Sequence, residues 1–534
     1  MKKLIPFWEI SLATTIFAAL LAPSAQAQFQ WDKRIASAAS WPEGEPNIGM
    51  TLDTNGNCYV TGWFDGINDF GGITLTNQSI GGSDIFVAKY NNAGTLQWVQ
   101  RAGGSPGNSN YGRAVGLDTN GNVYVTGSAY GAANFGTINL TGSSGQNFFL
   151  AKYNTNGTVQ WVKPSSGGSS DVYGIGLAVD GAGNSYALVT VDYGQNGSIS
   201  FGSTTVPIPA NIGTPLTIFI KYDDNGNVIW TQVLGSSTEV YAPKVTVDAS
   251  GYIYVRGIFI SDMTIGTSNL LSSASSKNFF VAKFSNSGNL IWVQQPQGIG
   301  FSDGGLTVDL AGNVYVSGMF EGSLDFGAGI TLTNAGSYNS YLAKYNSAGA
   351  IQWAQKAGGT NDGAFAADVF FDLALDGQTN IYAAGDLNSY SVLTKYDPTG
   401  REQWSYLASG SPASPISSTV WRCVVDSSKN CYLAGLYGGT DIFGTNVLQP
   451  QEAWNFFLAK LTVPLILSSP QIVGKTNFTF QLSGPAGSNY VLQVSTNLLN
   501  WSSVSTSTIP VSGSTNLSNA ISGYKQSFYR VLLQ

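Results

Sequence analysis

Four residue markers recur along this chain in a fixed order, and that recurrence restricts the fold more than any local motif does. Each unit opens on an Asp with a Tyr six residues later: Asp53/Tyr59, Asp118/Tyr124, Asp180/Tyr186, Asp248/Tyr254, Asp309/Tyr315, Asp376/Tyr382 and Asp426/Tyr432. A Lys follows on an apolar segment, at Lys89, Lys152, Lys221, Lys283, Lys344, Lys395 and Lys460. A turn such as Asn91-Asn92-Ala93-Gly94 or Asn154-Thr155-Asn156-Gly157 then leads to a Trp, at Trp98, Trp161, Trp230, Trp292, Trp353 and Trp404. The Asp and Lys series each count seven.

Within one unit the pattern predicts four short strands, a to d. In the second they are Ala114 to Leu117, Asn122 to Gly127, Phe148 to Tyr153 and Val159 to Val162. Strand c is apolar on both faces, which suits a sheet packed between two others. Gly121 and Gly157 fall where tight hairpins need a positive φ. A four-stranded antiparallel unit repeated radially is a propeller blade. The expected fold is therefore all-β, a seven-bladed β-propeller. The Trp spacing of 51 to 69 residues leaves room for an insert between strands b and c. Phe70-Gly71, Phe135-Gly136, Phe201-Gly202, Phe326-Gly327 and Phe443-Gly444 repeat in that insert, and the sixth unit lacks it. The seventh unit runs through its strand c, Phe456 to Leu461, without a following turn or Trp, whereas Gln30-Trp31-Asp32-Lys33-Arg34 resembles Gln97-Trp98-Val99-Gln100-Arg101. The reading is that the N-terminal strand closes the last blade, removing two open sheet edges.

The run Leu117 to Gly127, Leu-Asp-Thr-Asn-Gly-Asn-Val-Tyr-Val-Thr-Gly, with Phe148 to Asn154, Phe-Phe-Leu-Ala-Lys-Tyr-Asn, resembles the SBBP repeat of bacterial surface and exported β-propellers. The resemblance covers roughly residues 28–464. It implies a propeller and neither a reaction nor a catalytic residue.

Residues outside the repeats give the remaining domains. Lys2 and Lys3, the apolar run Ile10 to Ala22 and Ala25-Gln26-Ala27 form a signal-peptide pattern over 1–27, so export through a cleaved signal is expected, to the periplasm, cell surface or medium. The segment 465–534 changes character: Phe478, Phe480 and Leu482 alternate, as do Tyr490, Leu492 and Val494, and Trp501 reads as a core residue. Short alternating strands of this kind predict a small immunoglobulin-like or fibronectin-III-like β-sandwich.

Composition removes several classes of function. The formal net charge of −7 over 534 residues carries no clustered cationic surface, which argues against nucleic acid. The absence of His weakens hydrolase and metalloenzyme readings, since His is the usual base and ligand. No cofactor or metal is expected, the mature chain has no membrane-spanning run, and a monomer is the expected state. The Asp series partly resembles a calcium loop but lacks the distal Glu, so each Asp reads as a turn residue accepting backbone N–H bonds. The Lys series reads as paired within or between blades. Cys58 and Cys431 share a strand-b position held elsewhere by Val123 and Val314, and the hairpin leaves open a bridge between Cys423 and Cys431.

The a–b and c–d turns are nearly uniform, whereas the d–a and b–c connections on the opposite face vary. A variable face on a fixed scaffold is where recognition residues belong. The candidates are Asn110, Tyr111, Arg113, Asp171, Tyr173, Glu239, Tyr241, Lys244, Asp303, Asp362, Phe365, Trp421 and Arg422. They support two readings of different class. The first is an exported non-enzymatic binding or scaffold protein for a glycan or protein ligand. The alternative is a polysaccharide-acting glycosidase or lyase using two of Asp171, Glu239, Asp303 and Asp362, which would have to lie roughly 5–9.5 Å apart.

Overall fold

A computed structural model of the chain describes residues 28–533, apart from 39–47, 358–367, 410–417, 521–527 and shorter breaks in connecting segments. The segment 1–27, read as a signal peptide, lies outside the described residues. Among the described residues every regular element is a β-strand. The repeats form the seven blades of a β-propeller, each a four-stranded antiparallel sheet at its base.

Blade 2 shows the construction. Strand a is Tyr111–Leu117, b is Val123–Tyr130, c is Gln146–Tyr153 and d is Val159–Ser166. Each runs a few residues beyond the sequence expectation at one end, because the ladder continues where side chains turn polar. The cross-strand register explains the repeat. Tyr124 lies opposite Lys152, and Lys152 opposite Trp161. The same row recurs as Tyr59–Lys89–Trp98, Tyr186–Lys221–Trp230, Tyr254–Lys283–Trp292, Tyr315–Lys344–Trp353 and Tyr382–Lys395–Trp404. The four sequence markers are thus one line of side chains crossing a blade.

Each marker has a defined partner. Asp118 Oδ1 accepts the amides of Asn120 and Asn122, both at 2.9 Å, while Oδ2 accepts the Asn122 side chain at 2.7 Å and the Tyr124 hydroxyl at 3.3 Å. The carboxylate therefore closes the a–b turn and fixes the tyrosine, as expected of an Asp in a turn. The Lys ammonium sits over its own blade's tyrosine ring, at 5.2 Å for Lys152 on Tyr124 and 5.0 Å for Lys344 on Tyr315, a favourable cation–π contact. Lys152 also pairs with Asp224, in the c–d turn of blade 3.

The tryptophans join one blade to the next. The indole N–H of Trp98 donates to Thr155 O at 3.1 Å, that of Trp161 to Asp224 O at 3.2 Å and that of Trp230 to Asn286 O at 3.1 Å. Trp292 donates to Ser347 O at 3.1 Å and Trp353 to Pro398 O at 3.3 Å. Every acceptor is the second residue of the following blade's c–d turn. The Gly two residues later lies against the indole face: Gly157 has φ +80°, and a Cβ there would stand 2.7 Å from the Trp98 ring. That glycine thus serves both the left-handed turn and the close approach.

Blade 7 departs from this plan. Its sheet runs, in order, through Gln28–Ala38, Trp454–Thr462, Cys431–Tyr437 and Ser418–Val425. Trp31 lies 6.0 Å from Tyr432, edge to face, and its indole donates to Asn92 O at 3.0 Å. Strand c of blade 7 reaches Thr462, and the Trp404 Nε1 of blade 6 is buried without a hydrogen-bond partner among the described residues.

The b–c inserts form hairpins that brace a neighbouring blade. Ala133–Phe135 and Ile138–Leu140, from blade 2, extend strand d of blade 1 through Asn134 opposite Gly103. The insert of blade 3 pairs with strand d of blade 2 in the same way, Phe201 opposite Ser165. Phe70, Phe135 and Phe201 are all buried, which is why the insert carries an aromatic at that position. In blade 4 the position is filled by Ile265, also buried.

The C-terminal residues form two three-stranded sheets. One orders Ile466–Val473, Asn477–Ser483 and Ser514–Ala520; the other orders Ser502–Thr508, Asn489–Ser495 and Phe528–Leu533. Phe478, Phe480, Leu482, Tyr490, Leu492, Ile509 and Leu517 form one apolar cluster. Trp501, read from the sequence as a core residue, lies outside the described residues. Cys58, Cys423 and Cys431 are buried thiols. The bridge left open between Cys423 and Cys431 is not made; Cys423 Sγ instead lies 3.5 Å from Tyr382 O.

Two substitutions test the tryptophan contact. Trp292→Phe removes a hydrogen bond and part of a packed ring, so thermal or denaturant melts are expected to show a loss of about 1–3 kcal/mol. Trp404→Phe removes an N–H that has no acceptor among the described residues, and its loss should be clearly smaller in the same measurement.

Candidate functional site at the inner strands

The a strands line the inner edge of the blades, and among the described residues those of blades 2, 3, 4 and 6 carry a β-bulge, which re-aims side chains locally. The bulges fall between Gly112 and Ala114, Gly174 and Gly176, Tyr241 and Lys244, and Phe370 and Asp372. The residues after the bulge are in equivalent register, opposite Thr126, Leu188, Arg256 and Ala384. Blades 2 and 3 place Ala114 and Gly176 there. Blades 4 and 6 place charges, Lys244 and Asp372.

Those charges meet. Lys244 Nζ lies 3.5 Å from Asp372 Oδ1, with both side chains 16% exposed. The pair skips blade 5, whose residue at the matching distance before its turn Asp is Gly305. The other carboxylate oxygen, Asp372 Oδ2, accepts the Cys423 amide of blade 7 at 3.1 Å. One carboxylate therefore ties the inner strands of blades 4, 6 and 7 together. Asp372 is absent from the sequence candidates. The signal was nevertheless present, because the residues four before each turn Asp read Gly49, Ala114, Gly176, Lys244, Gly305, Asp372 and Arg422.

A second cluster involves blades 2 and 3. The Arg113 guanidinium lies 5.5 Å from the Tyr111 ring and 5.1 Å from the Tyr173 ring, held between two aromatic groups. Tyr111 packs edge-on against the buried Trp63 at 5.6 Å. The Tyr173 hydroxyl donates to Asp171 Oδ2 at 3.2 Å, and Asp171 Oδ1 accepts the Gln146 amide at 2.7 Å. Burial first, then the Asp171 charge, hold the Tyr173 phenol well above its ordinary pKa. It stays a neutral donor. The result is a fixed cationic and aromatic surface with one carboxylate already engaged.

Of the other sequence candidates, Tyr241 is half-buried and packs against the cores of blades 4 and 5. Arg422 donates to Trp421 O at 3.0 Å. Trp421 itself is a correction. It is 4% exposed within the apolar cluster that includes Trp63 and Phe456, so it packs the core and offers no ring to a ligand. Asn110 is likewise fully buried, donating to Ser83 O and accepting from the Tyr130 amide, each at 3.0 Å. Glu239, Asp303, Asp362 and Phe365 lie outside the described residues. Among the described residues no group of three or more Cys, Asp or Glu is placed to hold a metal ion.

Residues 97–136 match the family of SBBP beta-propeller repeats, a span running from strand d of blade 1 through the start of the blade 2 insert. That segment is an SBBP repeat. An uncharacterized WD repeat-containing protein of Acanthamoeba polyphaga mimivirus is 27% identical over 370 residues, covering 55% of this chain and 26% of the relative. The chain thus spans about a quarter of that relative's length. Among solved structures, a Hadza microbial sialidase aligns at 9% identity and TM-score 0.37, over 82% of this chain and 98% of its own. Porphyromonas gingivalis dipeptidyl peptidase 4 aligns at 9% identity and TM-score 0.31, over 89% of this chain and 63% of its own. Likenesses this weak carry no argument about activity.

A pH response is expected in blade 6. Burial pushes the Asp386 carboxyl of blade 6 up to about 7, against hydrogen bonds from Ser391 and Thr419 that lower it. The folded state then holds a proton that the unfolded chain releases near pH 4, so this group's contribution to stability declines from about pH 4 to about pH 7. Asp386→Asn should raise the melting temperature at pH 8 and leave it nearly unchanged at pH 4. For the inner pair, Asp372→Leu is expected to destabilise by removing the Lys244 ion pair and the acceptor of the Cys423 amide, whereas adding Lys244→Met should recover part of that loss in a double-mutant cycle.

Proposed function

We propose that the chain is an exported, non-enzymatic binding or scaffold protein that presents a glycan or protein ligand with the variable face of its propeller. The observation that carries this reading is Arg113 held between Tyr111 and Tyr173 at the inner strands. Such a surface offers aromatic groups and a cation whose position is set in advance, and so costs little ordering on binding. The SBBP repeat match and the WD-repeat relative are consistent with a repeat scaffold. The only carboxylate of the sequence-derived pool within the described residues, Asp171, is held by an amide and a phenol, which favours binding over glycoside cleavage.

In this reading residues 1–27 are a cleaved signal peptide and the mature chain acts in the periplasm, at the cell surface or in the medium. Residues 28–464 form the propeller, closed by strand Gln28–Ala38 acting as strand d of blade 7. The support for closure is that Trp31 has the tyrosine neighbour and the turn-carbonyl acceptor that Trp98 has in blade 1. Residues 465–534 form an immunoglobulin-like or fibronectin-III-like sandwich, supported by one apolar cluster drawn from two three-stranded sheets. Among the described residues no helix is long and apolar enough to cross a membrane, and the protein acts as a monomer.

The test is a screen of the mature chain on glycan and cell-surface protein arrays, with product release monitored in parallel. Arg113→Gln and Tyr173→Leu are each expected to weaken the captured ligand by about tenfold or more with the fold intact by circular dichroism. Binding indifferent to both substitutions, or turnover of the captured glycan, would overturn the proposal.

A further inference from the structure

The a–b and c–d turns look uniform along the sequence, yet three positions break the repeat, and the breaks fall together in space. The residue four after the turn Asp is Asn57, Asn122, Asn184, Asn313, Asn380 and Asn430, but Tyr252 in blade 4. The residue before the strand-d Trp is Gln30, Gln97, Gln160, Gln352 and Gln403, but Ile229 and Ile291 in blades 3 and 4. The residue after the turn Asp is Thr54, Thr119, Gly181, Ala249, Gly377 and Ser427, but Leu310 in blade 5. All four exceptions are apolar or aromatic and exposed: Ile229 52%, Tyr252 39%, Ile291 48% and Leu310 97%.

The exceptions line two adjoining grooves. One, of about 580 Å³, includes Lys221, Ile229 and Tyr252; the other, of about 340 Å³, includes Tyr252, Lys283, Ile291 and Leu310. Tyr252 belongs to both. Its presence has a structural cost, since the Asn it replaces donates its side-chain amide to the turn carboxylate in the other blades, for example Asn313 to Asp309 at 2.8 Å. Solvent-facing apolar side chains gathered at one place, with a turn contact given up to include one, mark an interaction surface.

The charges define the occupant. Lys152 and Lys460 have carboxylate partners, Asp224 and Asp426. Lys221 instead bonds to Asn286, while Lys283 donates to Ser347 O at 3.3 Å and lies 4.2 Å from the Tyr252 ring. Among the described residues neither lies within ion-pair distance of a carboxylate; burial lowers the pKa of both against the more distant Asp180 and Asp248 carboxylates, and Asp248 itself lines the second groove. A carboxylate brought to them would offset that desolvation. Three of the four exceptions are aliphatic, offering a sugar neither a flat ring nor a hydrogen bond, but matching apolar side chains well. Residues 465–534 contain no Asp or Glu, so this chain's own C-terminal segment is the wrong occupant by charge.

We propose that the turn face of blades 3 to 5 is a protein-docking groove for an extended acidic segment of a partner, with its apolar side chains over Ile229, Tyr252, Ile291 and Leu310 and its carboxylates at Lys221 and Lys283. The site is independent of the Arg113 surface and lies at the opposite ends of the strands. The probe is an array of extended peptides alternating Val or Leu with Glu, beside the same peptides with Gln or Lys in place of Glu, and affinities are read by fluorescence anisotropy. The Glu series should bind the full mature chain, the Gln series about tenfold more weakly and the Lys series not at all. Tyr252→Asn combined with Leu310→Thr, which restores the repeat's own residues, should weaken binding by about tenfold or more while the melting temperature stays equal or rises. Arg113→Gln should leave this binding unchanged. The proposal is overturned if the Glu series binds no better than the Gln series, or if the reverted variant binds as tightly as the parent. Light scattering that shows self-association through Tyr252 and Leu310, or a uronic-acid oligosaccharide that binds where no peptide does, would also overturn it.

Discussion

The arrangement depends on a hydrogen bond from an indole N–H to a peptide carbonyl in the next blade. Six such bonds are present among the described residues, from Trp31, Trp98, Trp161, Trp230, Trp292 and Trp353. A blade on its own is a small twisted sheet with two apolar faces, and neighbouring blades must bury them in a defined register. Hydrophobic contact alone is non-directional. The indole bond supplies direction, and the glycine beneath the ring supplies the close approach. Because the donor lies in strand d and the acceptor in the following c–d turn, a blade that makes the bond aligns its successor.

The remaining markers hold that acceptor in place. The turn Asp closes the a–b hairpin and orients the Tyr, the Tyr ring carries the Lys, and the Lys lies opposite the Trp across the c–d ladder. Deleting one member leaves the others with polar groups half out of water, which is costly in a packed sheet. The b–c hairpins of blades 2 and 3 brace the preceding blade from the side, with Phe135 and Phe201 in register against its edge strand. They therefore contribute to the frame as well as to the variable face. The proposed recognition surfaces lie at the inner strands, where bulges re-aim side chains, and at positions that depart from the repeat.

Much of the frame was legible because it repeats. Seven occurrences of Asp and Lys at fixed offsets average out local exceptions, and the resemblance of Gln30–Arg34 to Gln97–Arg101 pointed to a strand placed far from its sequence neighbours. The site was less legible. Asn110 and Trp421 read as surface contacts because they sit in connections of varied sequence, yet both are buried, one satisfying a neighbouring backbone and the other filling the core. Asp372 went unnoticed because pairing with Lys244 is a property of two residues 128 positions apart, visible only when their register in separate blades is aligned. Tyr252, Ile229, Ile291 and Leu310 were passed over for the opposite reason: their face looked monotonous, and the departures become meaningful when seen as neighbours.

The sequence by itself determined the unit of structure, since strand alternation, turn glycines and an Asp six residues before a Tyr are short-range constraints satisfied within one blade. Tertiary structure alone decided which side chains share a surface. The ring brings residues from separate blades within a few ångströms, and burial, ion pairing and groove formation depend on that distance rather than on separation along the chain.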